Sequence, residues 1–267
     1  MTFGFLFIPF YINFAFILIM SFMPLITIIT VTFNAEKVIG KTLSSLSGQT
    51  FSDFEHLVID GNSTDHSLDI LKKSALPSTR WISEPDKGLY DAMNKGLRMA
   101  KGKYVLFLNA GDTFHDTTTL ESYAEEALQN KDIIYGDTLI VNHEGSCLGP
   151  RHLSGPEFLT RKSFADGMLI CHQAFMVKKE LAPQFDLQYR FSSDYDWCVR
   201  CIQNSVPENC ANLNRVTIDY LSDGLTDKNK FPSLKERFRI MSHHYGLPVT
   251  VLKHLSFIFR AFKRGKI

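Results

Sequence analysis

The sequence predicts an α/β fold built on a Rossmann-like, mostly parallel central sheet flanked by helices. Two observations predict it. The run LITIITVT, Leu25 to Thr32, is unbroken and β-branched, as a strand buried on both faces should be. Runs of this kind alternate with segments whose apolar residues recur at helical spacing, the pattern of strands connected by covering helices. The chain has 267 residues and is 45% apolar, enough for one globular core, and no repeat or low-complexity linker divides it.

After the first strand, Val38, Ile39, Leu43 and Leu46 predict a helix from about Ala35 to Ser47. FEHLVI, Phe54 to Ile59, is a second strand. Asp60-Gly61-Asn62 ends it, and Ser63 or Thr64 suits the N-cap of a helix over Asp65 to Lys73. Arg80 to Ser83 is a short third strand, stopped by Pro85 and Asp86. Leu89, Ala92, Met93, Gly96, Leu97 and Ala100 then form the buried face of a helix that Asp86 can cap. Lys103 to Leu108 is a fourth strand, Ala174 to Val177 a later strand-like run, and Ser193 to Gln203 a helix.

The ends differ from the middle. No charged residue occurs from Met1 to Ala35, and Phe3 to Phe22 is long and apolar enough to cross a bilayer. A membrane anchor and a start codon placed too early, with Met20 and Met23 as later starts, are both open for residues 1–23. Residues 24–230 form the folded domain. Residues 231–267 end in KHLSFIFRAFKRGKI, a basic, aromatic-rich helix that suits an anionic membrane surface or a solvated tail. With 29 basic and 28 acidic residues there is no overall field to attract nucleic acid, which is excluded as a partner. The five cysteines are odd in number and lack zinc-site spacing, so reduced thiols in a cytosolic compartment are expected.

The polar residues left over on these elements gather at one place. In an open α/β sheet, ligands bind in the crevice beyond the carboxyl ends of the strands, where the Asp60 loop and the stretch SEPDKGLYDAMNKG both open. Each residue also has a plainer role: Asp86 as a cap, Asp91 and Lys95 as an i,i+4 pair, Tyr90 as a rim aromatic. The fourth strand delivers FLNAGD, Phe107 to Asp112, to the same crevice. Asn109 and Asp112 offer oxygens to a hard cation such as Mg²⁺ or Mn²⁺, which can bridge a diphosphate. Read alone, the same run is an Asx-turn without metal.

The order of these motifs resembles a known family. ITVTFN (Ile29–Asn34), VIDGNSTD (Val58–Asp65), SEPDKGLYDAMNKG, FLNAGD, CHQAF (Cys171–Phe175) and FSSDYDW (Phe191–Trp197) are similar to successive motifs of glycosyltransferase family 2, GT-A fold, in its branch of colanic acid and other surface-polysaccharide enzymes. The likeness runs from about Leu25 to Gly224 and divides the domain into a donor half, about 24–140, and an acceptor half, about 141–230. It implies that Thr32, Asn34 and Asp60 hold the base and ribose of a nucleotide-sugar donor, and that Asp86, Asp91 and Asn94 close over it. Asn109 and Asp112 match the metal-binding acidic motif, thinned here because Asn109 and Gly111 replace carboxylates. Asp194 matches the catalytic base of a single, inverting displacement. His172 and Gln173 match positions near the diphosphate or acceptor, and Asp223-Gly224 a loop at the product site.

Asp196 lies two residues from Asp194, off its helical face, and reads as a surface or capping acid. Phe191, Tyr195 and Trp197 read as core or rim aromatics. The expected acceptor is a glycan, carried on a polyprenyl diphosphate at the inner face of the cell membrane. A sugar-1-phosphate nucleotidyltransferase is excluded, since TFNAEK is not a glycine-rich basic phosphate loop. The remaining alternative is a noncatalytic nucleotide-sugar-binding or scaffold protein, suggested by the thinned acidic motif.

Overall fold

The computed structural model describes residues 23–222 and 229–263, with side chains through residue 259. The apolar segment 1–22 and Asp223-Gly224 lie outside the described residues. Nine strands among the described residues form one sheet: β1 (Ile26–Thr32), β2 (Phe54–Asp60), β3 (Arg80–Ser83), β4 (Tyr104–Phe107), β5 (Thr113–Phe114), β6 (Ile133–Val141), β7 (Cys147–Pro150), β8 (Phe175–Lys178) and β9 (Cys210–Leu221). The α-helices among the described residues are α1 (Ile39–Ser47), α2 (Ser67–Ser74), α3 (Leu89–Met99), α4 (Thr119–Leu128), α5 (Ser193–Asn204), α6 (Lys230–Tyr245) and α7 (Leu247–Lys263).

The strand order is β3-β2-β1-β4-β8-β6-β9-β5, with β7 also paired to β6. The first four strands are parallel, as helical crossovers require. Beyond β4 the sheet is mixed: β8 is antiparallel to β4 and β6, β9 is parallel to β6, and β5 and β7 are antiparallel to their neighbours. The expectation of a mostly parallel sheet thus describes the first half. The turn from Asn142 to Ser146 is too short for a crossover, so β6 and β7 can pair only in opposite directions.

Side chains alternate across β1, and each face has its own cover. Ile29 and Val31 pack with Ala92, Met93 and Leu97 of α3, while Ile26 and Ile28 share the opposite layer with Leu120, Tyr123 and Ala127 of α4. Gly96 lets α3 approach β1 closely, because a Cβ there would stand 2.5 Å from Ile29 Cγ2. The helices begin later than the sequence suggests, at Ile39 and Ser67. Neither Ser63 nor Thr64 caps α2; both are committed to the loops described below. All five cysteines are free thiols.

Register aligns the carboxyl ends of the parallel strands. Thr32 stands opposite Asp60, and Asp60 opposite Ser83. The bonds Leu108 N to Ile29 O and Ala110 N to Val31 O carry the chain after β4 along β1, so Asn109 emerges beside these ends. On the other side of the crevice, α6 fastens α5. Ser233 bonds Ser192, Glu236 accepts the Arg190 and Phe191 amides at 2.8 Å each, and Ile240 and Met241 enter the main core.

Candidate active site

Three loops at the strand ends are tied into one wall. Asn34, at φ 48°, receives Thr64 N on its Oδ1 at 2.9 Å and donates its own amide to Ser63 Oγ at 2.8 Å. Asp60 is fully buried and accepts from Ser63 N, Ser63 Oγ and Ser83 Oγ at 2.9, 2.5 and 2.6 Å. Asp86 folds its Oδ1 onto Gly88 N instead of capping α3. Its Oδ2 reaches the Asp60 loop, and a Cβ on Gly61 would lie 2.6 Å from it. Phe33 stands beside Gly61 with 62% of its surface exposed, an apolar ring on a polar rim. Thr32 Oγ1 is buried here without a hydrogen-bond partner.

The FLNAGD turn closes the wall. Gly111, at φ +106°, makes the bend, and Gly111 N and Asp112 O both bond the Thr42 hydroxyl. Asp112 is buried, accepting Gln173 Nε2 at 2.8 Å and Leu221 N at 3.0 Å on its two oxygens. Burial pushes its carboxyl up to about 6 against those bonds. Asn109 Oδ1 is buried without a partner. No group of three or more His, Cys, Asp or Glu among the described residues could hold a metal ion. One amide oxygen and one engaged carboxylate do not make a resident site for Mg²⁺ or Mn²⁺, which take about six oxygens. The residues present do not fit a metal held by the chain alone.

Asp112 gives a pH dependence with a partner of opposite sign. Its carboxyl holds a proton more tightly folded, at about 6, than at the ordinary 3.8, so stability falls as pH rises from about 4 to about 6. His56, buried between Thr30 and Thr79, is pushed down by burial to about 4 from 6.5. It binds its proton more weakly folded, so its contribution rises over nearly the same range. Each is worth about 3 kcal/mol, and the two offset. In the protein without donor, Asp112→Asn is expected to expose a stability rising from pH 4.5 to 6.5; chemical denaturation across that range reads the slope.

The opposite wall is the start of α5. Asp194 accepts Tyr90 Oη on Oδ1 at 3.0 Å and His172 Nδ1 on Oδ2 at 3.2 Å. Asn109 Nδ2 donates to His172 Nε2 at 3.2 Å, which leaves Nδ1 as the nitrogen bearing hydrogen toward Asp194. One chain of contacts thus runs Asn109–His172–Asp194–Tyr90. Burial pushes the Asp194 carboxyl up, but the His172 bond, the Arg237 charge and the Tyr90 bond outweigh it and hold it below the usual range. Burial, followed by the Asp194 charge, pushes the Tyr90 phenol well up, so Tyr90 remains a donor. Arg237 lies on α6 with its Nε buried and unpartnered. Asp194 keeps 15% of its side chain open.

The structure therefore brings Thr32, Asn34, Asp60, Asp86 and Asp112 to one side and His172 and Asp194 to the other, with Asn109 joining the two through His172 and Gln173 on Asp112. Asp91 accepts Lys87 N within the α3 approach, and Lys95 pairs with Glu84 rather than Asp91. Asn94 is not brought to the crevice. It is buried, and its amide exchanges two bonds with the Phe185 backbone at 2.9 and 2.7 Å. Asp196 is no surface acid: it is buried between Arg200 at 2.6 Å and His244 at 2.7 Å. Tyr195 and Trp197 are core residues bonded to Phe164 O and Pro183 O. Tyr90, read as a rim aromatic, is buried and bonds Asp194, and Arg237 escaped the sequence reading.

A buried carboxylate facing tied strand-end loops across a mixed α/β sheet defines a class of protein, and comparison with known proteins agrees. The family model described as Glycosyl transferase family 2 matches residues 27–182. The chain belongs to glycosyl transferase family 2. A PGL/p-HBAD biosynthesis glycosyltransferase of Mycobacterium bovis is 34% identical over 190 residues, covering 68% of this chain and 71% of the relative. WfgD of Escherichia coli, a UDP-Glc:alpha-D-GlcNAc-diphosphoundecaprenol beta-1,3-glucosyltransferase, is 26% identical over 238 residues, 86% of this chain and 90% of the relative. Staphylococcus aureus TarS 1-349 in complex with UDP-GlcNAc matches with TM-score 0.63 and 18% identity over 89% of this chain and 72% of that one. The mannosyltransferase PcManGT from Pyrobaculum calidifontis, with GDP-Man and Mn²⁺, matches with TM-score 0.56 and 15% identity over 88% and 75%. These likenesses show the GT-A fold. The protein is a glycosyltransferase, and the noncatalytic alternative gives way to that finding.

Proposed function

We propose that the protein is an inverting glycosyltransferase. In this reading it moves a sugar from a nucleotide-sugar donor to a glycan on a polyprenyl diphosphate, in exopolysaccharide, capsule or O-antigen biosynthesis. The observation that carries the reading is Asp194, ionised, partly open and held by two donors at the edge of the crevice. A carboxylate has about four acceptor sites, so two remain for an incoming hydroxyl. That hydroxyl oxygen bonds the anomeric carbon, its proton passes to Asp194, and the bond to the diphosphate breaks with its electron pair leaving on the diphosphate. One displacement from the face opposite the leaving group inverts the anomeric centre.

The donor's base and ribose belong to the wall of Thr32, Asn34 and Asp60, where Thr32 Oγ1 awaits a partner, with Phe33 as a stacking surface. Asp86 and Asp91 shape the loop that closes over the donor. His172 orients Asp194. Arg237 supplies a positive charge on the acceptor side. Mg²⁺ or Mn²⁺ belongs to the donor diphosphate in this reading, not to a cage in the chain. A lipid-linked acceptor is supported by the name of WfgD, and in this reading the enzyme works at the cytoplasmic face of the cell membrane. No helix among the described residues is long and apolar enough to cross a membrane.

The test is nucleoside diphosphate release from a panel of UDP-, GDP- and dTDP-sugars with Mn²⁺ or Mg²⁺, beside the melting temperature with each donor. Slow release from one donor, with a rise in melting temperature for that donor, is expected. Neither effect with any donor would refute the reading.

A further inference from the structure

α7 has two faces of different character. Thr250, Lys253, His254 and Phe257 recur at spacings of three and four and face the domain. Thr250 is fully buried, Lys253 Nζ bonds Asp166 Oδ1 at 2.6 Å, the His254 ring stands 4.9 Å from Phe238, and Phe257 packs on the main core. Val251, Leu252, Leu255, Ile258 and Phe259 occupy the opposite face, the last four each about 60% exposed or more. Single exposed apolar residues are ordinary, but a continuous stripe on a docked helix marks a surface that something covers.

Charge decides what covers it. After Glu236 the chain has no acidic residue and seven lysines and arginines, four of them after Phe259: Arg260, Lys263, Arg264 and Lys266. The rest of the chain is net acidic, since the whole carries only +1. Two copies meeting through α7 would bring like charges together. An anionic bilayer presents the opposite charge beside an apolar layer. α7 has 17 residues with Lys253 near its middle, so it suits the interface plane rather than a span.

We propose that α7 docks the enzyme on an anionic lipid bilayer, lying among the headgroups with Leu252, Leu255 and Phe259 turned into the acyl layer. This deepens the proposed function and rests on it for its purpose, which is to hold the active site beside a membrane-borne acceptor. The surface itself does not depend on donor chemistry, so the two can fail separately.

The test is sedimentation of the full-length protein with vesicles of phosphatidylcholine alone or mixed with phosphatidylglycerol. It is run beside a chain carrying Leu252→Glu, Leu255→Glu and Phe259→Glu, and a milder chain with serine at the same positions. The wild type is expected to bind the mixed vesicles, less so at high salt, with the glutamate chain about 100-fold weaker and the serine chain between. Melting temperature and donor release should be unchanged in both. The proposal is overturned if the variants bind like wild type, in which case another segment attaches the chain, or if the wild type binds no vesicles. It is also overturned if the wild type dimerises through α7 and the variants do not.

Discussion

Asp194→Asn is expected to lower the turnover of sugar transfer about a thousandfold while leaving donor affinity within a few-fold. General-base contributions run to about 10²–10⁴, and this carboxylate is the acid held open at the crevice, with Tyr90 and His172 on its two oxygens. Asparagine keeps the shape and can still accept from Tyr90, but it cannot take a proton. Its NH₂ would meet the His172 Nδ1 hydrogen, so the ring must change tautomer or lose that bond. The proposed donor contacts lie at the ends of β1, β2 and β4, away from Asp194, so binding is expected to survive. Asp196→Asn is the control: its partners are Arg200 and His244 on another face, so it should lower stability and spare turnover. Wild-type turnover in Asp194→Asn would remove the residue from the chemistry.

Trp197→Ala is expected to cost about 3–5 kcal/mol of stability, the range for a fully buried large aromatic. Trp197 has no exposed surface, stacks on Phe185 with centroids 4.9 Å apart, meets Phe107 and Phe175 edge-on at 5.6 and 5.8 Å, and donates Nε1 to Pro183 O. Tyr90 stacks on the other side of Phe185 at 5.5 Å. This aromatic block supports both Asp194, one turn before Trp197 on α5, and the Tyr90 that bonds it. For a chain of this size the loss corresponds to roughly 10 °C in melting temperature. Turnover should fall more than stability alone explains, because α5 loses its seat. A shift within about 2 °C would show that the block can collapse around the gap.

β1 to β4 were readable because their apolar runs are local, and α5 because its apolar residues keep helical spacing. The mixed half was not. β5 has two residues and β7 four, too short for a pattern, and NLNRVTIDYL within β9 alternates polar and apolar residues without showing which neighbour it joins. At the site, loop residues such as Asn34 and Asp60 were visible beside their strands, but Asp194 was singled out by resemblance. Tyr90 bonds a residue 104 positions away, and Arg237 sits on a helix grouped with the tail, so local sequence shows neither. Asn94 failed as a donor residue for the converse reason. Nothing near it in sequence reveals the Phe185 backbone that engages both ends of its amide.

The central claim is a single displacement at the anomeric carbon with Asp194 as base. Its most direct measurement is the anomeric configuration of the product formed from an α-linked nucleotide sugar, read by proton NMR coupling at the new linkage. The account predicts a β linkage, formed about a thousandfold more slowly when Asp194→Asn replaces the wild type. An α linkage would require two displacements or a different face of attack, and would contradict it.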